Sequence, residues 1–158
     1  MVVPVDQLVY IPNSIPNEQA AALLSSGIVA YNALCQPRGN KVAVVGTKSL
    51  AYLTCQFAKK VFNAEVTLFG HDEGNKAEEF GVDAYEPFSV KAIEKHVEKF
   101  DQVVVATSEL SAEEAQNVQN LARRTGQVIF AVELTSNPRI ILHELVLGML
   151  VVTQPSGR

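Results

Sequence analysis

Apolar residues recur along this chain in two alternating patterns. The first is a short β-branched run, Val42–Val45, that ends at Gly46. Its composition and length are typical of a strand buried on both faces. The second pattern follows at once, because the apolar residues from Leu50 to Val61 are spaced by three and four positions and so form one face of a helix. Together they predict a strand, a tight glycine turn and a helix.

The same alternation continues along the rest of the sequence. Further strands are predicted at 65–69, 82–85, 102–106, 127–132 and 147–153, and helices at 75–80, 90–100 and 111–124. Ser111 and Glu114 form a capping-box signature at the start of the last of these helices. Before residue 41, the sequence predicts a β-like lead-in at 2–11 and two helical pieces, 18–24 and 28–34, separated at Gly27.

Strands that alternate with helices predict an α/β fold. Right-handed crossovers between such strands give a doubly wound, mostly parallel sheet with helices on both faces. Ligands of these sheets bind beyond the carboxyl ends of the strands, where the strand order reverses. We therefore expect the turns at Gly46, Gly70 and Thr107-Ser108 to converge on one crevice.

The turn at Gly46 also brings a helix N-terminus to that crevice. Backbone N–H groups without intrahelical partners and the positive end of the helix dipole lie there. An anion, most often a phosphate, is the usual ligand of this geometry.

Composition and charge limit the classes of partner that the chain is expected to bind. The chain has 158 residues, 47% of them apolar and 19% charged, with a net charge of −4 and no block of Lys or Arg. Nucleic acid and an anionic membrane are therefore not expected as partners. No apolar run approaches the roughly 20 residues of a spanning helix, and the N-terminus lacks the basic region of a secretion signal. Cys35 and Cys55 lie in apolar helical contexts, which predicts buried, reduced thiols in a cytoplasmic protein and no metal site.

Four segments of the chain, when taken together, resemble one known family. They are Glu18-Gln-Ala-Ala through Leu34, Gly39-Asn-Lys-Val-Ala-Val-Val-Gly46, Gln56-Phe-Ala-Lys59 and Glu79-Phe-Gly-Val-Asp83. The family is the medium-chain dehydrogenases/reductases, that is, the zinc-type alcohol dehydrogenases and their zinc-free relatives. The match extends from about Val3 to Asp83 and is loose thereafter.

The family combines a barrel-like catalytic domain with a Rossmann nucleotide-binding domain. This chain resembles only the second of these, with a short hinge before it. The resemblance implies that residues 1–40 are a hinge strand with helices and that 41–158 are the Rossmann domain. It also implies that the chain lacks the catalytic domain and is a part of a longer protein.

The glycine turn departs from the family at one position. Gly46-Thr47-Lys48-Ser49-Leu50-Ala51 stands where the family has Gly-x-Gly-x-x-Gly. Gly46 keeps the tight turn, and Ala51 is tolerable for packing of the helix on the strand. Lys48 replaces the glycine that lets the backbone approach the pyrophosphate. Its side chain could obstruct the cofactor, or turn outward and pair with a phosphate.

The other site residues come from the next strand ends. Gly70 falls where NAD-preferring members have an acidic residue for the ribose, and His71 and Asp72 follow it. A small residue with a nearby cation would suit a 2′-phosphate, whereas Asp72 could itself reach the ribose, so NAD and NADP both stay open. The segment could also be no more than a solvated loop. Thr107 and Ser108 would face the nicotinamide half.

The sequence offers no catalytic group of its own. The family's zinc-ligand position falls on Ser25, so catalytic zinc is not expected. His96 and His143 are interpreted as surface or packing residues, and no nucleophile–base pair or paired carboxylate is legible.

The resulting hypothesis is an NAD(P)-binding domain of a zinc-independent oxidoreductase similar to the alcohol dehydrogenases, inactive by itself. The alternative is a degenerate Rossmann scaffold that acts as an interaction or regulatory module without a dinucleotide. The uncharged stretch 147–153, as the last strand, predicts a homodimer formed edge to edge. The alternative is that the missing catalytic domain or a C-terminal helix covers this edge in the full protein.

Overall fold

Strand β1 (Lys41–Val45) lies inside a six-stranded sheet, between β2 (Glu65–Gly70) and β4 (Phe100–Val105). The computed structural model describes residues 4–35, 39–71, 77–132 and 149–152. The remaining strands are β3 (Ala84–Pro87), β5 (Ala122–Phe130) and β6 (Met149–Val152). Their order is β3-β2-β1-β4-β5-β6, and every pair is parallel.

The order reverses direction between β1 and β4, which gives the sheet its two halves. Alternate residues of β1 face opposite sides, because side chains along a strand alternate. Val42 and Val44 belong to one apolar cluster, whereas Ala43 and Val45 belong to the other. The predicted α/β, Rossmann-like doubly wound parallel sheet is therefore confirmed.

Helices cover both faces of this sheet. The helices are α1 (Asn17–Ala22), α2 (Ile28–Leu34), α3 (Ser49–Lys60), α4 (Ala77–Phe80), α5 (Val90–Lys95) and α6 (Ala112–Asn117). Residues of α2, α3 and α4 contribute to the cluster around Val44, and residues of α5 and α6 to the cluster around Val45. None of these described helices has the length and apolar content needed to cross a bilayer.

The N-terminal lead-in is not a strand in the residues that are described. Val5–Gln7 forms a 3₁₀ turn, and Val5 and Tyr10 are 83% and 80% exposed. The apolar side chains that predicted a strand, such as those of Val5 and Tyr10, are instead exposed. At Gly27 the predicted interruption is a π-helical turn, Leu23–Gly27, so the chain stays helical from α1 into α2.

Helix α5 is shorter than predicted. It ends at Lys95, and Glu98 takes a positive φ of 56°, which no α-helix accommodates. Phe100, which the spacing assigned to the helix, instead begins β4 and is buried. The spacing of three and four therefore continued by coincidence across a turn.

Helix α6 begins where predicted and ends early. Ser111 and Glu114 form the predicted capping box, but α6 stops at Asn117 and a 3₁₀ turn, Val118–Leu121, follows. Arg123 and Arg124, which were predicted as helical, lie in β5. The register with β4 shifts between Phe100 and Gln102, so the segment around Gly126 is an irregular part of the strand and not a helix end.

One buried carboxylate holds the amino ends of three strands together. Asp101 Oδ2 accepts hydrogen bonds from the backbone N–H groups of Asn40 and Lys41 at 2.8 and 2.9 Å. Arg123 Nε lies 2.7 Å from Asp101 Oδ1. Charged hydrogen bonds of this length are among the stronger ones, so Asp101 fixes β1, β4 and β5 to each other.

The two cysteines differ from the prediction in one respect. Cys55 is buried in α3, as predicted, whereas Cys35 is exposed, and both are free thiols. Cys35 follows the last residue of α2, so its side chain escapes the apolar face that its sequence context suggested.

Candidate functional site

The carboxyl ends of β1, β2 and β4 lie side by side, where the sequence predicts one crevice. Gly46 N donates to Phe69 O at 2.8 Å, which joins the end of β1 to β2. Ala106 N donates to Val45 O at 2.9 Å, which joins it to β4. The loops that follow these strands therefore start side by side.

Two features of the turn after β1 require a glycine at position 46. Its φ of +125° is a conformation that side-chain-bearing residues rarely adopt. A Cβ there would also lie 3.1 Å from both Ala106 O and Thr107 Cβ. The glycine thus lets the turn after β1 cross directly over the end of β4.

The turn leads into the N-terminus of helix α3. Lys48 is the N-cap residue in an extended conformation, and its side chain does not cap the helix. The first helical hydrogen bond runs from Tyr52 N to Lys48 O at 3.0 Å. The backbone N–H groups of the first helical turn, beginning with the exposed Ser49, therefore lie before any intrahelical acceptor, and an anion could accept from them.

The Lys48 side chain extends across the crevice. Its ammonium group pairs with the Glu109 carboxylate in the loop between β4 and α6. Both side chains are exposed, at 69% and 63%. The partner of Lys48 is therefore a carboxylate of the chain itself, and the two alternatives from the sequence, obstruction of the cofactor and pairing with a phosphate, both stay open.

The end of β2 is closed by two neighbouring side chains. A Cβ on Gly70 would overlap the Thr47 methyl and lie 3.0 Å from the Tyr85 hydroxyl. Tyr85 OH also donates to Gly70 O at 3.2 Å. An acidic residue could therefore not replace Gly70 without displacing Thr47.

His71 follows Gly70 and connects β2 to α6. Its Nε2 lies 3.3 Å from Glu114 Oε1, and its ring centroid lies 4.7 Å from that of Phe88. A hydrogen bond from the Ser111 backbone N–H lowers the pKa of Glu114, which favours the carboxylate beside His71. Asp72, the third predicted residue of this group, lies outside the described residues.

Thr107 and Ser108 lie in the loop after β4, as predicted. Thr107 is buried, and its Oγ1 accepts from Glu109 N at 3.2 Å. Thr107 therefore shapes the loop that presents Glu109. Sequence reasoning missed both Glu109 and Glu114 as partners of site residues. Their acidic side chains in the segment after a strand were a signal, but nothing local to either one indicates Lys48 or His71.

Within the described part of the chain, no group of three or more His, Cys, Asp or Glu residues could hold a metal ion. Ser25, at the position that the resemblance relates to a zinc ligand, is exposed.

No family model matches the chain. In sequence, the chain is 37% identical over 81 residues to 16-methoxy-2,3-dihydro-3-hydroxytabersonine synthase of Catharanthus roseus. That alignment covers 47% of this chain and 22% of the synthase.

Solved structures agree over most of the chain. Cinnamyl alcohol dehydrogenase from Sorghum bicolor superimposes with a TM-score of 0.75 at 22% identity, over 90% of this chain and 42% of its own. The part of that dehydrogenase that superimposes has the same Rossmann fold. Acetophenone reductase from Geotrichum candidum, in complex with NAD, gives 0.76 at 17% identity, over 93% and 44%. A putative zinc-binding dehydrogenase from Sinorhizobium meliloti, bound to NADP, gives 0.74 at 22% identity, over 94% and 48%.

The resemblance to the Rossmann domain of the medium-chain dehydrogenases/reductases is thus confirmed. The chain spans less than half the length of each of these dehydrogenases and about a fifth of the synthase.

Proposed function

We propose that this chain is the NAD(P)-binding domain of a zinc-independent oxidoreductase similar to the alcohol dehydrogenases. The observation that supports it best is the turn at Gly46, which crosses the end of β4 and directs the N-terminus of α3 into the crevice. Two solved structures of the same fold hold NAD or NADP. In this proposal residues 1–40 are the hinge segment and 41–158 the Rossmann domain.

Each predicted site segment has one part of the dinucleotide assigned to it. Gly46–Leu50 would face the pyrophosphate, Gly70–Asp72 the adenosine ribose and Thr107–Ser108 the nicotinamide half. The backbone N–H groups of Ser49 and Leu50 supply donors for phosphate oxygens. When bound, the cofactor supplies hydride transfer, and this chain binds and orients it.

Catalysis is assigned to residues outside this chain. The sequence offers no legible nucleophile–base pair, and the proposal contains no step through zinc, because Ser25 is not a zinc ligand. We therefore expect no dehydrogenase turnover from these 158 residues alone.

A scaffold without a dinucleotide is the second candidate. Two observations favour it: Lys48 and Glu109 form an ion pair across the crevice, and Thr47 with Tyr85 closes the end of β2. Such a chain would serve as an interaction or regulatory module.

Titration with NADH and NADPH, followed by fluorescence and calorimetry, tests the choice between the two. We expect weak binding of at least one of them. A Ser49→Glu variant should abolish it, because a carboxylate at the first position of α3 repels phosphate while still suiting the helix dipole. Val90→Glu puts the same charge at the first position of α5 and is the matched control. No heat and no signal with either dinucleotide at millimolar concentration would favour the scaffold.

We also propose a homodimer through residues 147–153. Of these, 149–152 are described as β6, which lies last in the strand order and pairs with β5. A strand at the end of a sheet presents backbone N–H and C=O groups that a second copy can satisfy.

A further inference from the structure

The ion pair between Lys48 and Glu109 joins the two loops that flank the crevice. Lys48 comes two residues after Gly46, and Glu109 two residues after Thr107. Gly46 and Thr107 are themselves in contact, since a Cβ on the glycine would lie 3.1 Å from Thr107 Cβ. The pair therefore joins two short segments, 46–48 and 107–109, which separate from the contact between Gly46 and Thr107.

The backbone of both segments is held in place by neighbouring residues. On one side, Lys48 is the N-cap of a twelve-residue helix whose next residues pack on the sheet, with Ala51 fully buried. On the other, Glu109 N donates to the buried Thr107, and the next residue, Leu110, is buried as well. The exposed side chains of Lys48 and Glu109 can therefore change partners while the backbone on each side stays in place.

The Glu109 carboxylate and a pyrophosphate at this site would compete for Lys48. The Glu109 carboxylate is an anion that binds Lys48 beside the helix N-terminus, where the proposed function puts a pyrophosphate. An exposed ion pair of this kind contributes little free energy and is screened by salt, so it exchanges readily. A pyrophosphate carries more negative charge than one carboxylate and also accepts from the backbone N–H groups of α3.

We propose that the Lys48–Glu109 pair is an electrostatic latch on this site. Without ligand, Glu109 holds Lys48 across the crevice. A diphosphate group displaces the carboxylate, takes Lys48 as its own counter-ion and leaves Glu109 in solvent. Lys48 is then a phosphate ligand and Glu109 an internal competitor that lowers the affinity. The latch rests on the proposed function for its ligand, but its chemistry requires only a diphosphate.

Calorimetric titration of the wild type and of Glu109→Gln tests the latch, with inorganic pyrophosphate, NADH, NADPH and uncharged adenosine as probes. The variant should bind each phosphate-bearing probe about fivefold more tightly, as expected for the loss of one exposed charge contact and its repulsion. Its affinity for adenosine should be unchanged. Lys48→Met should weaken pyrophosphate binding, and Glu109→Gln should gain less in that background.

Glu65→Gln is the matched control, since Glu65 pairs with Lys41 with similar exposure at the amino ends of β1 and β2, away from the site. It should leave every affinity unchanged. If Glu109→Gln binds pyrophosphate no better than the wild type, or if Lys48→Met binds it more tightly, the latch is overturned even where NADH or NADPH binds. If pyrophosphate follows the expected order and both dinucleotides fail, the latch stands and the proposed function falls. If no probe binds any variant, both are overturned.

Discussion

The Thr47 methyl group occupies the space that a side chain on Gly70 would need. The turn after β1 and the end of β2 are thereby locked together through one pair of residues. The glycine is required here by packing, because Gly70 is not among the residues with positive φ.

Gly70→Ala should therefore destabilise the chain by about 1–3 kcal/mol, the usual cost of an extra methyl in a filled space. In a Thr47→Ser background, which lacks the obstructing methyl, the same substitution should cost less. Urea denaturation of the four variants of this double-mutant cycle measures the difference. An equal cost in both backgrounds would point to the Tyr85 hydroxyl as the main obstacle instead.

The carboxyl group of Glu86 predicts how stability depends on pH. A hydrogen bond from Lys95 at 2.6 Å, together with His96 Nε2 at 3.1 Å, lowers the pKa of Glu86 below its ordinary value of 4.5. Because the folded pKa is the lower one, this stabilisation is complete above pH 4.5 and is lost as pH falls through the folded value.

Glu86→Gln should therefore lower the free energy of unfolding near neutral pH and flatten its decline upon acidification. Denaturant titrations between about pH 7 and about pH 3 give both quantities. Lys95→Met should flatten the same decline, because it removes the largest cause of the shift. A decline as steep in both variants as in the wild type would exclude Glu86 as its source.

The two cysteines should differ sharply in reactivity. Burial raises the pKa of Cys55 to about 12, whereas Cys35 is exposed. Because the thiolate is the reactive form, a disulfide reagent should modify Cys35 in the native chain and reach Cys55 only after unfolding. Cys35→Ser should abolish the native reaction, and a rapid residual reaction in that variant would contradict the burial of Cys55. A cytoplasmic, reducing location stays a prediction.

The proposed homodimer is tested at the edge strand. Val151→Lys adds a charge within β6 and should yield monomers, because a charged edge strand resists pairing with a second copy. Lys91→Glu, on the exposed side of α5, should leave the assembly unchanged. Light scattering after gel filtration reads the mass of each. A wild type that stays monomeric at high concentration would refute the proposal.

Much of the fold could be predicted because its signals are local. The run Val42–Val45 needs only its own composition to indicate a buried strand, and the capping box at Ser111 needs only Glu114. The errors arose where a turn carries no marker. Neither glycine nor proline separates Lys95 from Phe100, so the helical spacing continued past the true end of α5.

The same distinction between local signals and contacts of distant residues applies to the candidate site. The glycine turn at Gly46 was legible because its strand and helix flank it. The partner of Lys48 was not, since Glu109 lies 61 positions away and only the sheet brings them together. Thr47 and Gly70 likewise form one contact between two separate strand ends, and no spacing along the chain indicates it.

The contact between Asp101 and the start of β1 can form only late in the synthesis of the chain. Its partners Asn40 and Lys41 precede it by 61 and 60 residues. As the chain leaves the ribosome, β1 can pair with β2 long before β4 has been synthesised. Until then, a strand with four buried apolar residues has one edge without a neighbour, and such edges promote aggregation. Strand β4 closes that edge, because Gln102–Val105 pair with Val42–Val45, and Asp101 then fixes the start of β1 to β4. Nascent chains that have not yet exposed β4 should therefore depend on chaperones, and longer ones should be released from them.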